Sequence, residues 1–429
     1  MSEYRGYAGK SLRFLQESKV KVGDTIKVTE ELTYSGILMP RYELSDDQHI
    51  VLKLKSGYNV GIEVGKIKKI ELISRQKLTK EIPSDIKTNS SLPKVLLLST
   101  GGTIASKVDY RTGGVTPALN ASELNAAIPE LAKIANIDAE VLFSEYSENL
   151  QPEHWKKIAE KLDTCSKSEY KGIVITHGTD TMQYTAAFLS FALSGFPIPI
   201  ALVGSQRSSD RPSSDAALNL ISAVRFVIEG NTKGVFVIMH HNESDDLVVS
   251  HLGTRVRKNH TSKRSAFKTI GDDPAFLILD KKIEKNLKKE FFQQKDYNPK
   301  LNLDTRVALV KYHPGYDPKL IDYIIESGYQ AIIFEGTGLG HIGKTMYDSV
   351  KSAKKKGLFL GMTSQCIDGR VSMTVYESGR DLLEMGIVPL NNMIPETALV
   401  KAMWALGNTK SVDEMKNLML EKIASEFSD

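Results

Sequence analysis

Two short stretches of this chain carry the residue types that acyl-transfer chemistry needs. Val95-Leu-Leu-Leu-Ser-Thr-Gly-Gly-Thr-Ile-Ala105 and Gly172-Ile-Val-Ile-Thr-His-Gly-Thr-Asp-Thr-Met182 each begin as an apolar run of strand length and break off into threonine and glycine. A buried parallel strand hands over to a loop in this way, and ligands of open α/β sheets bind at that carboxyl edge. If both strands end on one edge, four hydroxyls (Thr100, Thr103, Thr179, Thr181) and the carboxylate of Asp180 meet in a single crevice. Glycines there admit backbone N–H groups at close range. The set predicts a hydroxyl nucleophile with an oxyanion-binding turn, not a metal centre. Thr103 is the first candidate, because a threonine hydroxyl needs a base or an oxyanion hole beside it and a Gly-Gly turn supplies free N–H groups. The same turn could equally be a tight strand-to-helix connection without a catalytic role. Asp180 would attract a cationic group such as an α-ammonium. A carboxylate–hydroxyl pair also needs a proton acceptor, and a lysine desolvated in a pocket is one candidate. By composition alone Lys258, in the polar stretch Arg255-Val-Arg-Lys-Asn-His-Thr-Ser-Lys263, belongs to an exposed basic loop.

The elements that must position these residues follow from periodicity. From Leu92 on, apolar strands alternate with amphipathic helices. Strands are expected at 94–99, 139–143, 172–176, 198–203 and 234–239, and helices near 121–134, 152–164, 181–194 and 214–229. Pro152 marks a helix start. Residues 280–303 read as a Lys-rich bridge, helical and then extended. A second set follows: strand 306–311, helix 318–327, strand 330–334, helix 344–356, strand 358–362 and a closing helix 395–406. The expected fold class is α/β, with two stacked parallel-sheet domains over 92–285 and 286–429. Before them, residues 20–73 read as four or five short strands with turn punctuation, which predicts a small all-β barrel within 1–75 and a Lys-, Ser- and Pro-containing linker over 76–91.

Composition narrows the function classes. The 429 residues are 41% apolar and 25% charged, ordinary for a globular protein of two or three domains. No run of eighteen apolar residues occurs, and the first residues lack the apolar core of a signal peptide, so a cytoplasmic address and no membrane are expected. Two cysteines, Cys165 and Cys366, make neither a disulfide framework nor a zinc knuckle. The net charge of +4 sits wholly in residues 1–90, which hold 16 Lys+Arg against 12 Asp+Glu. That is a slightly biased solvated surface or a weak polyanion contact.

Thr100-Gly-Gly-Thr-Ile-Ala105 and Thr176-His-Gly-Thr-Asp-Thr-Met182 resemble the two signature motifs of bacterial-type L-asparaginases, in order and at matching separation. The resemblance runs from about residue 92 to the last residues. It implies Thr103 as the acyl-forming nucleophile and Thr179, Asp180 and Lys258 as a second constellation, in which Lys258 takes the proton of Thr179 and Asp180 receives the substrate amino group. Substrate-carboxylate binding in that family uses a Ser-Gln pair ahead of a Trp-containing helix. Counting back from Trp155 puts Ser147 and Glu148 there, and the Glu departs from the pattern: it would repel a carboxylate unless it pairs with the ammonium. The family's mobile-loop tyrosine corresponds to Tyr110. The whole layout, with Phe334-Glu-Gly-Thr-Gly-Leu-Gly-His341, the stretch Tyr376 to Ile387, and Pro395-Glu-Thr-Ala398, is similar to the family of archaeal glutamyl-tRNA(Gln) amidotransferase D subunits. That resemblance implies glutamine hydrolysis here and transfer of the ammonia to the E subunit of the amidotransferase, which activates the glutamate on misacylated tRNA(Gln) with ATP and Mg²⁺. It implies no cofactor in this chain, and a homodimer core within a heterotetramer. The alternative is a free-standing asparaginase or glutaminase with a barrel appended for oligomerisation. A barrel carried on a dead scaffold is disfavoured by the intact Thr103, Thr179, Asp180 and Lys258 set.

Other patterns compete. Gly338-Leu-Gly-His-Ile-Gly-Lys-Thr345 satisfies the phosphate-loop pattern after an apolar run, so an ATP-binding domain is a second reading. No second-domain strand ends in an Asp to hold Mg²⁺. His240, His241, His251 and His260 lack the spacing of a ligand set and read as satisfied loop or strand-end histidines. The lysines of 281–289 read as a solvated helix face rather than a grip on RNA phosphates.

Overall fold

The computed structural model describes residues 4, 6–41, 46–54, 59–75, 91–102, 106–109, 114–117, 128, 130–207, 214–280, 282–286 and 296–428. A helix, α1 (Gly9–Glu17), precedes five strands: β1 (Thr25–Thr29), β2 (Thr33–Leu38), β3 (His49–Leu54), β4 (Asn59–Glu63) and β5 (Lys69–Ser74). They form one antiparallel sheet in the order β4-β3-β2-β1-β5. The period of two in β3 turns Ile50 and Leu52 inward, where they meet Ile26, Val28, Leu38 and, from α1, Leu15. Two features differ from the sequence expectation. The domain includes α1, and among the described residues no ladder joins β4 to β5; the 3₁₀ turn Val64–Lys66 links them.

The next unit is built on an eight-stranded sheet. Its parallel part runs β12 (Gly234–His240), β11 (Pro199–Val203), β10 (Gly172–Thr176), β6 (Lys94–Gly101), β9 (Asn136–Glu145). Odd and even residues of β6 serve opposite faces: Leu96 and Leu98 pack with α2 (Pro152–Thr164) and α3 (Met182–Ala192), whereas Val95 and Leu97 pack with α4 (Ala216–Glu229). Burial on both faces is why these strands read as unbroken apolar runs. In α2 the i, i+3, i+4, i+7 spacing buries Trp155, Ile158, Ala159 and Leu162 behind Pro152 at the first turn. Nearly every residue of α3 is buried, because the sheet covers one side and the second lobe the other.

The sheet is mixed rather than purely parallel. β13 (Val248–Leu252), β16 (Phe276–Ile278) and β17 (Ile283–Lys285) extend it antiparallel beyond β12. The expected bridge therefore starts as a strand of this sheet. Residues 287–295 of the bridge lie outside the described residues, as do most residues of the helix expected at 121–134, where Leu131–Lys133 forms a 3₁₀ turn. A separate hairpin, β14 (Val256–Lys258) with β15 (Phe267–Thr269), lies in the chain between β13 and β16 and forms a two-stranded sheet of its own, and β7 (Ser106–Asp109) pairs with β8 (Gly114–Pro117) after β6.

The second lobe has four parallel strands in sequence order: β18 (Val307–Lys311), β19 (Ala331–Gly336), β20 (Phe359–Ser364) and β21 (Val388–Pro389). α5 (Lys319–Glu326), α6 (Tyr347–Lys355) and α7 (Glu377–Glu384) cover one face. α8 (Pro395–Asn408) and α9 (Val412–Leu420) cover the other and share a core with α3. The Phe191 and Trp404 rings stack across this seam at 5.7 Å. Residues 296–305 run along it, with Lys300 N–H donating to Ala192 and the Trp404 indole donating to Lys300. No helix among the described residues is long and apolar enough to cross a membrane.

Candidate active site

β9, β6 and β10 are neighbours, so their carboxyl ends deliver Tyr146–Ser147, Thr100–Gly102 and His177–Asp180 to one place. The chain leaves β6 for β9 on one side and reaches β10 on the other, which makes this a topological switch point. The glycines are there because the loops touch backbone to backbone. Gly102 has φ +79°, and a Cβ on it would lie 2.9 Å from the Gly178 nitrogen and from the His177 carbonyl carbon. A Cβ on Gly178 would lie 2.8 Å from that of Ser147. Any side chain would part the three loops.

Of the four hydroxyls expected in one crevice, two are engaged elsewhere. Thr100 Oγ1 donates to the Thr176 carbonyl at 2.9 Å, tying β6 to β10, and Thr181 Oγ1 donates to the Ser147 carbonyl at 2.7 Å, tying the start of α3 to the turn after β9. Both bonds tie neighbouring segments of the site's frame together. Thr179 is placed differently. The Lys258 ammonium donates to Thr179 Oγ1 at 2.8 Å and to Asp180 Oδ1 at 2.6 Å. Lys258 keeps 10% of its side-chain surface, whereas Asp180 keeps 65%. The carboxylate is open to an arriving cation while the lysine is enclosed. Sequence composition put Lys258 in an exposed loop; the tertiary structure sets it on β14, paired with Phe267, with its N–H on the Gln183 side chain at 3.2 Å.

Thr103 and Tyr110 lie outside the described residues. Ser147 is buried on the 3₁₀ turn Ser147–Asn149 against Gly178, and Glu148 beside it is exposed, without a hydrogen bond or ion pair among the described residues. His177 is structural: its ring bonds the Gly178 carbonyl at 2.7 Å and Thr185 Oγ1 at 2.8 Å, and burial pushes it down to about 4. Periodicity did not point to Gln183 or to the support behind the β11 loop. There Asp215 accepts the N–H groups of Gln206 and Arg207, and Asn219 bonds Gly204, Asp215 and His240. His240 also meets Asp245 at 3.3 Å, and burial lowers its pKa. No cluster of metal-binding side chains occurs among the described residues.

The phosphate-loop pattern has the right setting, between β19 and the turn Lys344–Met346 that opens α6. The turn is closed on itself, however. Thr337 bridges His341, and the N–H groups of Gly340 and His341 both donate to the Thr337 carbonyl at 3.0 Å. A phosphate cradle needs such N–H groups free.

Comparison with known proteins assigns the two α/β lobes. A model of the asparaginase N-terminal domain matches residues 94–291, and one of the glutaminase/asparaginase C-terminal domain matches 306–419. The thermostable L-asparaginase from Thermococcus kodakarensis superposes with a TM-score of 0.72 at 32% identity, covering 78% of this chain and 99% of that one. Fold and domain matches thus define an asparaginase-class protein. The first domain adds a distinction, since residues 20–73 match the GatD N-terminal domain. The D subunit of the Pyrococcus abyssi glutamyl-tRNA(Gln) amidotransferase is 44% identical over 424 residues, covering 97% of both chains. That of Metallosphaera sedula is 46% identical over 429 residues, covering 99% of this chain and 96% of its own. That of Methanopyrus kandleri is 45% identical over 440 residues, covering 100% and 95%. The chain belongs to the family of glutamyl-tRNA(Gln) amidotransferase D subunits.

Proposed function

We propose that this chain is the glutaminase subunit of a tRNA-dependent amidotransferase. The observation that supports it most is the enclosed Lys258 held on Thr179 and Asp180 beside the Gly101-Gly102 turn, in a chain that matches D-subunit relatives over its whole length. In this reading the Thr103 hydroxyl attacks the side-chain amide carbon of glutamine, and N–H groups of the glycine turn take up charge on the carbonyl oxygen. The C–N bond breaks, the nitrogen leaves as ammonia with a proton, and water then cleaves the Thr103 ester to release glutamate. With the lysine amine neutral, Thr179 Oγ1 takes the proton of the attacking hydroxyl, and later of the water, as it passes its own to Lys258 Nζ across their contact; Lys258 then returns that proton to the leaving nitrogen and, in the second step, to Thr103 Oγ1. Asp180, exposed on the open side, receives the substrate ammonium, and Ser147 and Glu148 face the substrate's charged end. Tyr110 also contacts the substrate in this reading.

The ammonia is used on the E subunit to convert Glu-tRNA(Gln) to Gln-tRNA(Gln), with ATP and Mg²⁺ bound there and no cofactor in this chain. Two copies of each of the two proteins make the working assembly, in the cytoplasm. A glutaminase that ran at full rate alone would waste glutamine, so the lone chain is slow. A tenfold rise needs only about 1.4 kcal/mol of differential binding. Glutamate release by the purified chain, with and without the E subunit and Glu-tRNA(Gln), tests the reading: kcat rises at least several-fold on addition. Full activity of the lone chain, unchanged by both, favours a free-standing hydrolase. No hydrolysis under either condition defeats the glutaminase reading altogether.

A further inference from the structure

The four residues that lead into Lys258 are tied to the second lobe. Thr254 Oγ1 donates to the Ala424 carbonyl at 2.8 Å, and its own carbonyl accepts Thr397 Oγ1 at 2.8 Å. Arg255 Nε donates to the Ser425 carbonyl at 2.6 Å. Val256 is buried in the core shared by both lobes. Arg257, immediately before Lys258, makes an ion pair with Glu396 at 3.0 Å. Lys258 then turns back to Thr179 and Asp180 of the first lobe. The first turn of α8 and the segment after α9 therefore hold the strand that presents the lysine, which gives the Pro395-Glu-Thr-Ala398 stretch a physical role.

Glu396 is a weak fastener between two lobes. One oxygen pairs with Arg257, while Oε2 is buried with no hydrogen-bond partner among the described residues. A half-satisfied buried carboxylate is less favourable than a well-packed apolar side chain, so stability does not account for it. Direction does, because an ion pair fixes the guanidinium, and with it the strand one residue from the amine, more narrowly than apolar contact can. We propose that Glu396, acting through Arg257, is a positioning residue that sets Lys258 Nζ against Thr179, so that the second lobe controls the rate of the proton step. The proposal rests on the reading of Lys258 as proton acceptor.

Steady-state glutamine hydrolysis by the full chain tests it, with Glu396→Gln, Arg257→Met, the double variant, Arg257→Lys and Lys258→Met measured in parallel below their melting temperatures. Misplacement by a fraction of an ångström to 1 Å is worth about tenfold to a hundredfold in rate. Glu396→Gln and Arg257→Met should each lower kcat by about tenfold or more with KM within about twofold. The double variant should be no worse than Arg257→Met, and Arg257→Lys should recover part of kcat. If Glu396→Gln fails to fold, the contrast between Arg257→Met and Arg257→Lys decides. Equal kcat in those two, or a folded Glu396→Gln with wild-type kcat or a change in KM alone, overturns the positioning role. Lys258→Met separates the layers: if it keeps kcat, the proton-acceptor reading falls and this proposal with it. If it loses kcat while Glu396→Gln does not, only the positioning role falls.

Discussion

Lys258 Nζ stands 2.8 Å from Thr179 Oγ1, although 79 residues separate them, Lys258 on β14 of the separate hairpin and Thr179 in the loop after β10. The contact joins a hairpin outside the main sheet to the carboxyl end of a central strand. Lys258→Met keeps most of the side-chain length and removes the amine. The expected outcome is a loss of kcat of about a hundredfold or more, with little change in KM for glutamine. Retained kcat with a raised KM would make Lys258 a binding group instead.

Thr103→Val is nearly isosteric and deletes only the hydroxyl. Amide hydrolysis should disappear while circular dichroism and the melting temperature stay close to those of the parent chain. Residual activity above about one percent would count against Thr103 as the nucleophile.

Lys344 is exposed at the start of the turn before α6, and the N–H groups of Gly340 and His341 earlier in the same loop are engaged with Thr337. Lys344→Ala should leave glutamine hydrolysis unchanged, and the isolated chain should not retain ATP in equilibrium dialysis. A Lys344-dependent ATP affinity would revive the phosphate-loop reading.

Two buried histidines make stability depend on pH. Burial pushes His177 down to about 4 and His251 down to about 3. The unfolded chain takes up protons on both near pH 6.5, and the folded chain does not. Each contribution is therefore complete above pH 6.5 and is lost as pH falls toward the folded values, by roughly 2 kcal/mol per histidine at pH 5. The melting temperature should fall between pH 7 and pH 5. His251→Asn, which can still bond Thr269, should flatten that slope, and an unchanged slope would remove His251 from the account.

Local sequence determined where the buried strands and their covering helices lie. A short, unbroken apolar run reads as a strand buried on both faces, and Lys94–Gly101 and Gly172–Thr176, closed by threonine and glycine, follow that rule, as do Pro199–Val203, closed by Gly204, and Gly234–His240, closed by His240-His241. Pro152 with its helical spacing marks α2 for the same local reason. The three-residue strands β16 and β17 hold less than two periods, and α1 owes its place to Leu15 meeting the first sheet, so neither was legible. In the site, Thr100, Thr179 and Thr181 are the same residue type in neighbouring motifs, and nothing local tells a hydroxyl that meets Lys258 from one that ties neighbouring segments together. The tertiary structure decided it, because β9, β6 and β10 lie side by side, so that the Thr176 carbonyl at the end of β10 takes up Thr100 and the Ser147 carbonyl on the turn after β9 takes up Thr181. It also turned Lys258 from a residue of a polar stretch into an enclosed partner of Thr179. That contact depends on the folding of a hairpin held by the second lobe, which no spacing along the chain encodes.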